Sequence, residues 1–250
     1  MLPVQIAVKI KHLKNIETVP KPGTTPLSNE KELVDLRLRQ AADEITHTIE
    51  ERLSTSYFFE VIADSDVRVA LAAQGVNSAS TTLTAEQIER LGKTLGAQTI
   101  LATTLSGYGS VKKRWLVYLI GSGLAEGLVQ GVAAAAVIGS PWAAVGIGVE
   151  EAAQETAEWG GGGYLFGKLW SPVILEGRLV SVADGHTLWS ATALESSNSK
   201  ALKALPSDER KKREVRLRLT AQKAAENLVK SLDKKAWSNL KRADERPKGP

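Results

Sequence analysis

Residues of the types that usually carry chemistry are few in this chain. It has no cysteine, and its three histidines, His12, His47 and His186, stand far apart in the sequence. Without cysteine there is no disulfide, no thiol nucleophile and no thiolate metal site. We assign the histidines to surface positions: His12 beside a strand, His47 off the apolar stripe of a helix, and His186 in a turn. The sequence therefore predicts no metal centre.

Two other stretches have compositions that can support chemistry. Glu151, Glu155 and Glu158 share a face if 150–158 is helical, but the Glu-x-x-His pattern of carboxylate di-metal proteins is absent. We interpret them as a solvated helix face. The glycine run 160–163 lacks the spacing and the Lys-Ser/Thr ending of a phosphate-binding loop, so it predicts a hinge. We expect no catalytic residue, no cofactor and no enzymatic activity.

Glu126 and Gln130 are the only strongly polar side chains between Trp115 and Ile138. About 24 helical residues span roughly 36 Å, which is enough to cross a bilayer core of about 30 Å with some tilt. A carboxylate in lipid is costly. We therefore expect Glu126 and Gln130, which are four residues apart, to line a water-filled lumen. The alternative is that Glu126 marks a solvent-facing side near one helix end.

Small residues recur every four positions in the same stretch and would share one helix face. In lipid, such residues let two helices approach closely, whereas each glycine weakens a helix in water by about 1 kcal/mol relative to alanine. The spacing predicts close helix packing, within one chain or between neighbouring copies. The residues are Gly123, Gly127, Gly131, Ala135 and Gly139.

Charged and aromatic residues lie at the edges of 112–170, where membrane anchors belong. We call residues 112–170 the insert. The helix-breaking sequence Gly-Ser-Pro at 139–141 divides it, so we predict a long Gly/Ala-rich helical hairpin that enters a membrane or contacts other subunits. A buried core hairpin and a β-hairpin are the alternatives, although the alanine run 133–136 lacks the alternation of a barrel wall. The anchor residues are Lys112, Lys113, Arg114, Trp115, Trp159 and Trp170.

The sequence on either side of the insert predicts an α/β (α+β) fold, in which helices flank a mixed β-sheet. Apolar residues alternate in the predicted strands and recur every three or four positions in the helices. Capping boxes are predicted at Asn29 with Glu32 and at Thr84 with Gln87. Strands are predicted at 4–13, 57–63 and 97–111, and helices at 30–54, 66–75 (capped by Asp64 or Ser65) and 85–96.

After the insert, 171–196 predicts a β-hairpin with an Asp-Gly turn at Asp184. A polar connection then leads to a final helix at 210–241, followed by a loose tail at 242–250. We predict that 1–111 and 171–241 form a single discontinuous domain.

Several sequence segments, in this order, resemble those of a group of bacterial envelope proteins. The group includes the curli secretion channel (CsgG-like) family and the TolB amino-terminal-type domains. The similar segments are YFFEVIADSDVRVALAAQG, IERLGKTLGAQTILATTLSGYG and LEGRLVSVADGHTLWSA. The resemblance implies an α/β domain without enzymatic activity that assembles with or binds other envelope proteins, in the periplasm or at the outer membrane. Many such proteins are lipoproteins anchored through an N-terminal cysteine, which this sequence does not contain.

Three functions are open at this point. The first is a homo-oligomeric envelope subunit whose insert enters the membrane in secretion or envelope biogenesis. The second is a soluble periplasmic TolB-type module whose insert packs on partner proteins. The third is nucleic-acid binding through the basic stretch 210–242. It ranks last, because Trp237 is the only aromatic residue there for base stacking. The N-terminus does not read as a signal peptide, so an envelope location implies a leader outside this numbering.

Overall fold

One mixed sheet organises the computed structural model, which describes residues 1–18, 29–76, 83–109, 171–195 and 199–244. β1 is parallel to β2, and the other neighbouring strands are antiparallel. This confirms the predicted class, a mixed sheet flanked by helices. The strands, in spatial order, are β1 (Gln5–Ile6), β2 (Thr99–Tyr108), β3 (Val173–Ser181) and β4 (Thr187–Glu195). The helices are α1 (Glu30–Ser54), α2 (Asp64–Ala73), α3 (Ala85–Leu95), α4 (Ser199–Lys203), α5 (Ser207–Lys211) and α6 (Arg213–Asp244).

β2 and β3 come from the parts of the chain before and after 110–170, yet they pair along nearly their whole length. Thr99 lies opposite Ser181 and Tyr108 opposite Val173, with a bulge at Ser106. The chain therefore leaves β2 and re-enters β3 at the same end of the sheet. We call the end at Tyr108 and Val173 the root end, and the end at Thr99 and Ser181 the distal end.

α1 and α6 cover one face of the sheet, and their buried side chains form the larger hydrophobic core with those of the strands. The apolar stripe predicted for α6 is buried from Leu217 to Leu232, as expected for a helix packed on one side. α6 also continues to Asp244, so the predicted loose tail is wrong for 242–244. Residues 245–250 lie outside the described residues. The largest fully buried side chains here include Ile45, Ile49, Leu105, Leu175, Leu217 and Leu228.

α2 and α3 form a second core on the opposite face, where they cover Ile100 and Val180 near the distal end. The predicted capping box of α3 is confirmed. The Thr84 hydroxyl accepts a hydrogen bond from the Gln87 N–H, and the Gln87 side chain accepts one from the Thr84 N–H. Gly96 ends the helix in the left-handed conformation, at φ 64°. These local signals place α3 accurately because residues at both of its ends favour the capping conformation.

The strand predicted at 57–63 is wrong, because this segment has no strand pairing. Its apolar side chains are buried by packing, although its backbone joins no strand. Phe59 and Val61 pack on the larger core, whereas Ile62 packs on the second core. Strand propensity reflects the fit of side chains to a half-buried surface. A segment that lies between two cores buries its apolar side chains without pairing with another strand.

Two other local predictions also need correction. β1 is shorter than the predicted 4–13. The Val4 N–H donates to the Thr46 hydroxyl at 2.9 Å instead of to the ladder, and the N–H groups of Ala7 and Val8 both donate to the Leu105 carbonyl. The capping box at Asn29 is absent, since its side chain makes no capping hydrogen bond. The Glu30 carboxylate instead accepts the Leu13 N–H at 2.9 Å.

Gly177 in β3 is required by the aromatic side chain packed over it. A Cβ atom there would lie 2.9 Å from two atoms of the Trp189 ring. We expect Gly177→Ala to lower the free energy of unfolding by about 1–3 kcal/mol through overpacking, as measured by urea denaturation. Trp189→Phe removes the ring atoms that the new methyl group would meet. The double variant should therefore cost less than the sum of the single variants, and strict additivity would contradict this contact.

Candidate functional site

Apart from the basic stretch 210–242, the residues that the sequence singled out for function fall in 110–170 and lie outside the described residues. The structure therefore leaves their roles as predictions. They comprise the small-residue stripe Gly123, Gly127, Gly131, Ala135 and Gly139, the polar pair Glu126 and Gln130, and the anchors Lys112, Lys113, Arg114, Trp115, Trp159 and Trp170. What the structure does show is the place from which this segment departs and a groove at the other end of the sheet.

The root end is closed by hydrogen bonds around Gly109. Its N–H donates to the Pro172 carbonyl at 2.9 Å, so the two points where 110–170 joins the sheet are held side by side. Arg213, the first residue of α6, donates from Nε to the Asn15 carbonyl and from Nη2 to the Gly109 carbonyl, at 2.5 and 2.7 Å. Burial lowers the pKa of this guanidinium. One side chain thus joins the start of α6 to the end of β2.

Glycine is suited to position 109, where the backbone passes close to the Asn15 carbonyl. The φ of Gly109 is +70°, and a Cβ atom would lie 2.3 Å from the Asn15 carbonyl oxygen. Glycine populates this conformation without a steric cost. The exit from β2 therefore has a defined geometry up to the last residue that the structure describes before 110–170.

A groove of about 660 Å³ opens at the distal end of the sheet, where the two cores meet. The segment 58–63 forms one wall, and Gln98 to Leu101 of the β2 edge form another. Its lining also includes Met1, Val67, Leu91 and Leu232. Burial lowers the pKa of the Met1 amino group, while the nearby carboxylates of Glu50 and Asp64 oppose that shift. Apolar side chains line much of the groove, but its accessible surface is more polar than apolar.

The β2 edge in this groove has unused hydrogen-bonding capacity. Ile100 and Ala102 pair with β3, and the Val182 N–H donates to the Gln98 carbonyl on that side. The intervening residues face the other way, as shown by the Leu2 N–H donating to the Leu101 carbonyl at 2.9 Å. In the described part of the chain, no backbone hydrogen bond joins 57–63 to Thr99 or Leu101. An extended peptide could add to this edge.

Exposed aromatic side chains lie next to the groove. Phe58, in its wall, packs on Trp237 with ring centroids 6.3 Å apart. Trp237 remains 54% exposed, and Tyr57 is fully exposed. Large aromatic side chains that reach solvent in this way are enriched in protein interfaces. The sequence pattern missed this site because it interpreted 57–63 as a paired strand.

The described part of the chain offers few other groups that could form a metal or membrane site. Across 1–18, 29–76, 83–109, 171–195 and 199–244, no three His, Asp or Glu side chains are grouped to hold a metal ion. No helix in those ranges is both long and apolar enough for a membrane span. On the open sheet face, the Ser106 hydroxyl donates to the Glu176 carboxylate.

Comparisons with known proteins add no assignment. No protein-family model matches the chain, and no curated protein or solved structure matches it. The resemblance to CsgG-like and TolB-type domains therefore stays a prediction based on three sequence segments.

The groove geometry predicts a pattern of amide hydrogen exchange along β2. The N–H groups of Thr99 and Leu101 face the groove and should exchange faster than those of Ile100 and Ala102, which face β3. Nuclear magnetic resonance of the full chain would resolve the four amides. Protection of Leu101 as strong as that of Ile100 would contradict the open edge.

The root end predicts a stabilising role for Arg213. Arg213→Met leaves two carbonyl groups without their charged donor. Hydrogen bonds to charged groups contribute about 1.5–3 kcal/mol, so we expect a loss of about 2 kcal/mol in the free energy of unfolding. Arg218→Met is the matched control, because Arg218 is exposed on the same helix. Equal effects of the two substitutions in chemical denaturation would rule out the bridging role.

Proposed function

We propose that this protein is a non-enzymatic subunit of an oligomeric bacterial cell-envelope assembly, linked to secretion or envelope biogenesis. In this proposal the α+β domain is a platform in the periplasm. Residues 112–170 enter or contact the outer membrane, or contact neighbouring subunits. The proposed partners are further copies of the chain and other envelope proteins.

The observation that carries this proposal is the pairing of β2 with β3 across the insert. Because Tyr108 lies opposite Val173, the segment 110–170 departs from and returns to adjacent strands. An insert attached in this way can project from one end of a domain without interrupting its core. This supports a platform that presents one long apolar segment in a single direction.

The composition of the insert supports a membrane or subunit contact. Its glycine stripe is poorly suited to a solvated helix and well suited to close helix packing in lipid. Glu126 and Gln130 would then face a lumen or a neighbouring subunit, since an unpaired carboxylate in lipid is costly.

The distal groove favours a second candidate function, a soluble periplasmic TolB-type module that binds proteins. Its open β2 edge and mixed polar and apolar lining suit an extended peptide. In that case the insert would pack on partner proteins instead of lipid. The two candidates differ in whether the full chain needs detergent.

The proposal is tested by the size of the full chain in detergent, measured by light scattering after gel filtration. We expect a discrete oligomer that needs detergent to stay in solution. Gly127→Leu with Gly131→Leu should reduce it to smaller species, because bulky side chains on the small-residue face separate the helices. Ala136→Leu adds bulk on the other side of the predicted helix and should leave the oligomer intact.

Two results would contradict the proposal. A wild-type chain that is a detergent-independent monomer would favour the soluble binding module. An oligomer that responds equally to the Gly127/Gly131 pair and to Ala136→Leu would remove the small-residue face from assembly.

A further inference from the structure

Three lysines project from the segment that follows β1. Lys9, Lys11 and Lys14 are exposed, while Val8 and Leu13 between them are buried. The buried residues fix the segment on the larger core. The lysines are therefore displayed by an anchored stretch of backbone at one place on the domain.

Hydrogen bonds place this segment at the root end. The N–H groups of Ala7 and Val8 donate to the Leu105 carbonyl near the end of β2. The Asn15 carbonyl accepts from Arg213, which also binds the Gly109 carbonyl. The lysines thus lie beside the point where the chain enters 110–170. In the sequence, Lys112, Lys113 and Arg114 follow Gly109 within a few residues.

Three carboxylates of this region bind groups other than the lysines. Glu17 binds Arg37 at 2.8 Å, the Glu30 carboxylate accepts the Leu13 N–H, and the Glu214 carboxylate accepts the Thr18 N–H at 2.8 Å. None of the three lysines forms an ion pair with a described residue. The three ammonium groups therefore reach solvent without a carboxylate partner among the described residues.

We propose that the root end docks on the surface of an anionic lipid bilayer through Lys9, Lys11 and Lys14. The inference rests on the proposed function, in which the insert beside these lysines enters a membrane. Each lysine held near an anionic leaflet strengthens binding about fivefold, so three contribute roughly 100-fold. The attraction extends about one Debye length, roughly 10 Å at 0.1 M salt, and therefore requires the root end to face the bilayer.

Flotation of the full chain with lipid vesicles tests the inference. We expect the wild type to bind vesicles of phosphatidylcholine with 30% phosphatidylglycerol roughly 100-fold more tightly than pure phosphatidylcholine vesicles in 0.1 M salt. The triple variant Lys9→Gln, Lys11→Gln and Lys14→Gln should lose most of this preference and keep its binding to phosphatidylcholine. The substituted side chains are exposed, so unchanged circular dichroism and urea midpoints should accompany the loss.

A distal triple variant provides the matched control. Lys230→Gln, Lys234→Gln and Lys235→Gln removes the same charge from exposed positions on the distal half of α6. It should keep the preference for anionic vesicles. Equal losses in the two triple variants would show a response to net charge alone and would overturn the inference.

The remaining outcomes separate this inference from the function on which it rests. Equal wild-type binding to both vesicle types would overturn the docking surface and leave membrane insertion intact. Failure to bind either vesicle would overturn both. Loss of binding to duplex DNA, but not to anionic vesicles, in the root-end triple variant would assign the lysines to nucleic acid and overturn the bilayer proposal.

Discussion

The antiparallel pairing of β2 with β3 is the constraint on which the rest of the structure depends. α1 precedes this pair in the chain and α6 follows it, and the two helices pack side by side on the face that the pair forms. The entropic cost of closing a loop rises by only about 0.6 kcal/mol for each doubling of its length. A long insertion between these two central strands therefore adds little to the cost of pairing them.

The same pairing gives the domain two ends of different character. From Arg213 to Trp237, α6 extends roughly 36 Å at 1.5 Å per residue. Its start is joined to Gly109 at the root end, and Trp237 packs on Phe58 beside the distal groove. The root end carries three lysines that form no ion pair with a described residue, whereas the distal end carries an open sheet edge and exposed aromatic residues. The proposed membrane contact and a peptide site would therefore occupy opposite ends of one molecule.

Much of the fold could be predicted from the sequence, because its signals are local. Thr84 and Gly96 mark the ends of α3, the Asp-Gly turn at Asp184 joins β3 to β4, and the apolar stripes identify α1 and α6. The segment 57–63 could not be placed in this way. Its composition favours a strand, but its conformation depends on two cores whose residues are distant in the sequence.

The groove was missed for the same reason, since its walls are brought together only by the folded chain. The exposed Tyr57 and Trp237 were the available signals, but their contact through Phe58 is not visible in a sequence pattern. The predicted site residues of the insert depend on helical periodicity alone, and they lie outside the described residues. Their assignment thus rests on sequence chemistry, while the domain geometry fixes only where the insert begins and ends.

The most direct test of the account is the depth at which three positions lie when the full chain is bound to vesicles. The chain has no cysteine, so Val132→Cys, Lys14→Cys and His186→Cys can each carry a single fluorophore. We expect quenching by nitroxides on the acyl chains at position 132 and by headgroup nitroxides at position 14. We expect quenching by neither at position 186, in the exposed distal turn. Quenching of all three labels only by aqueous iodide would contradict this account.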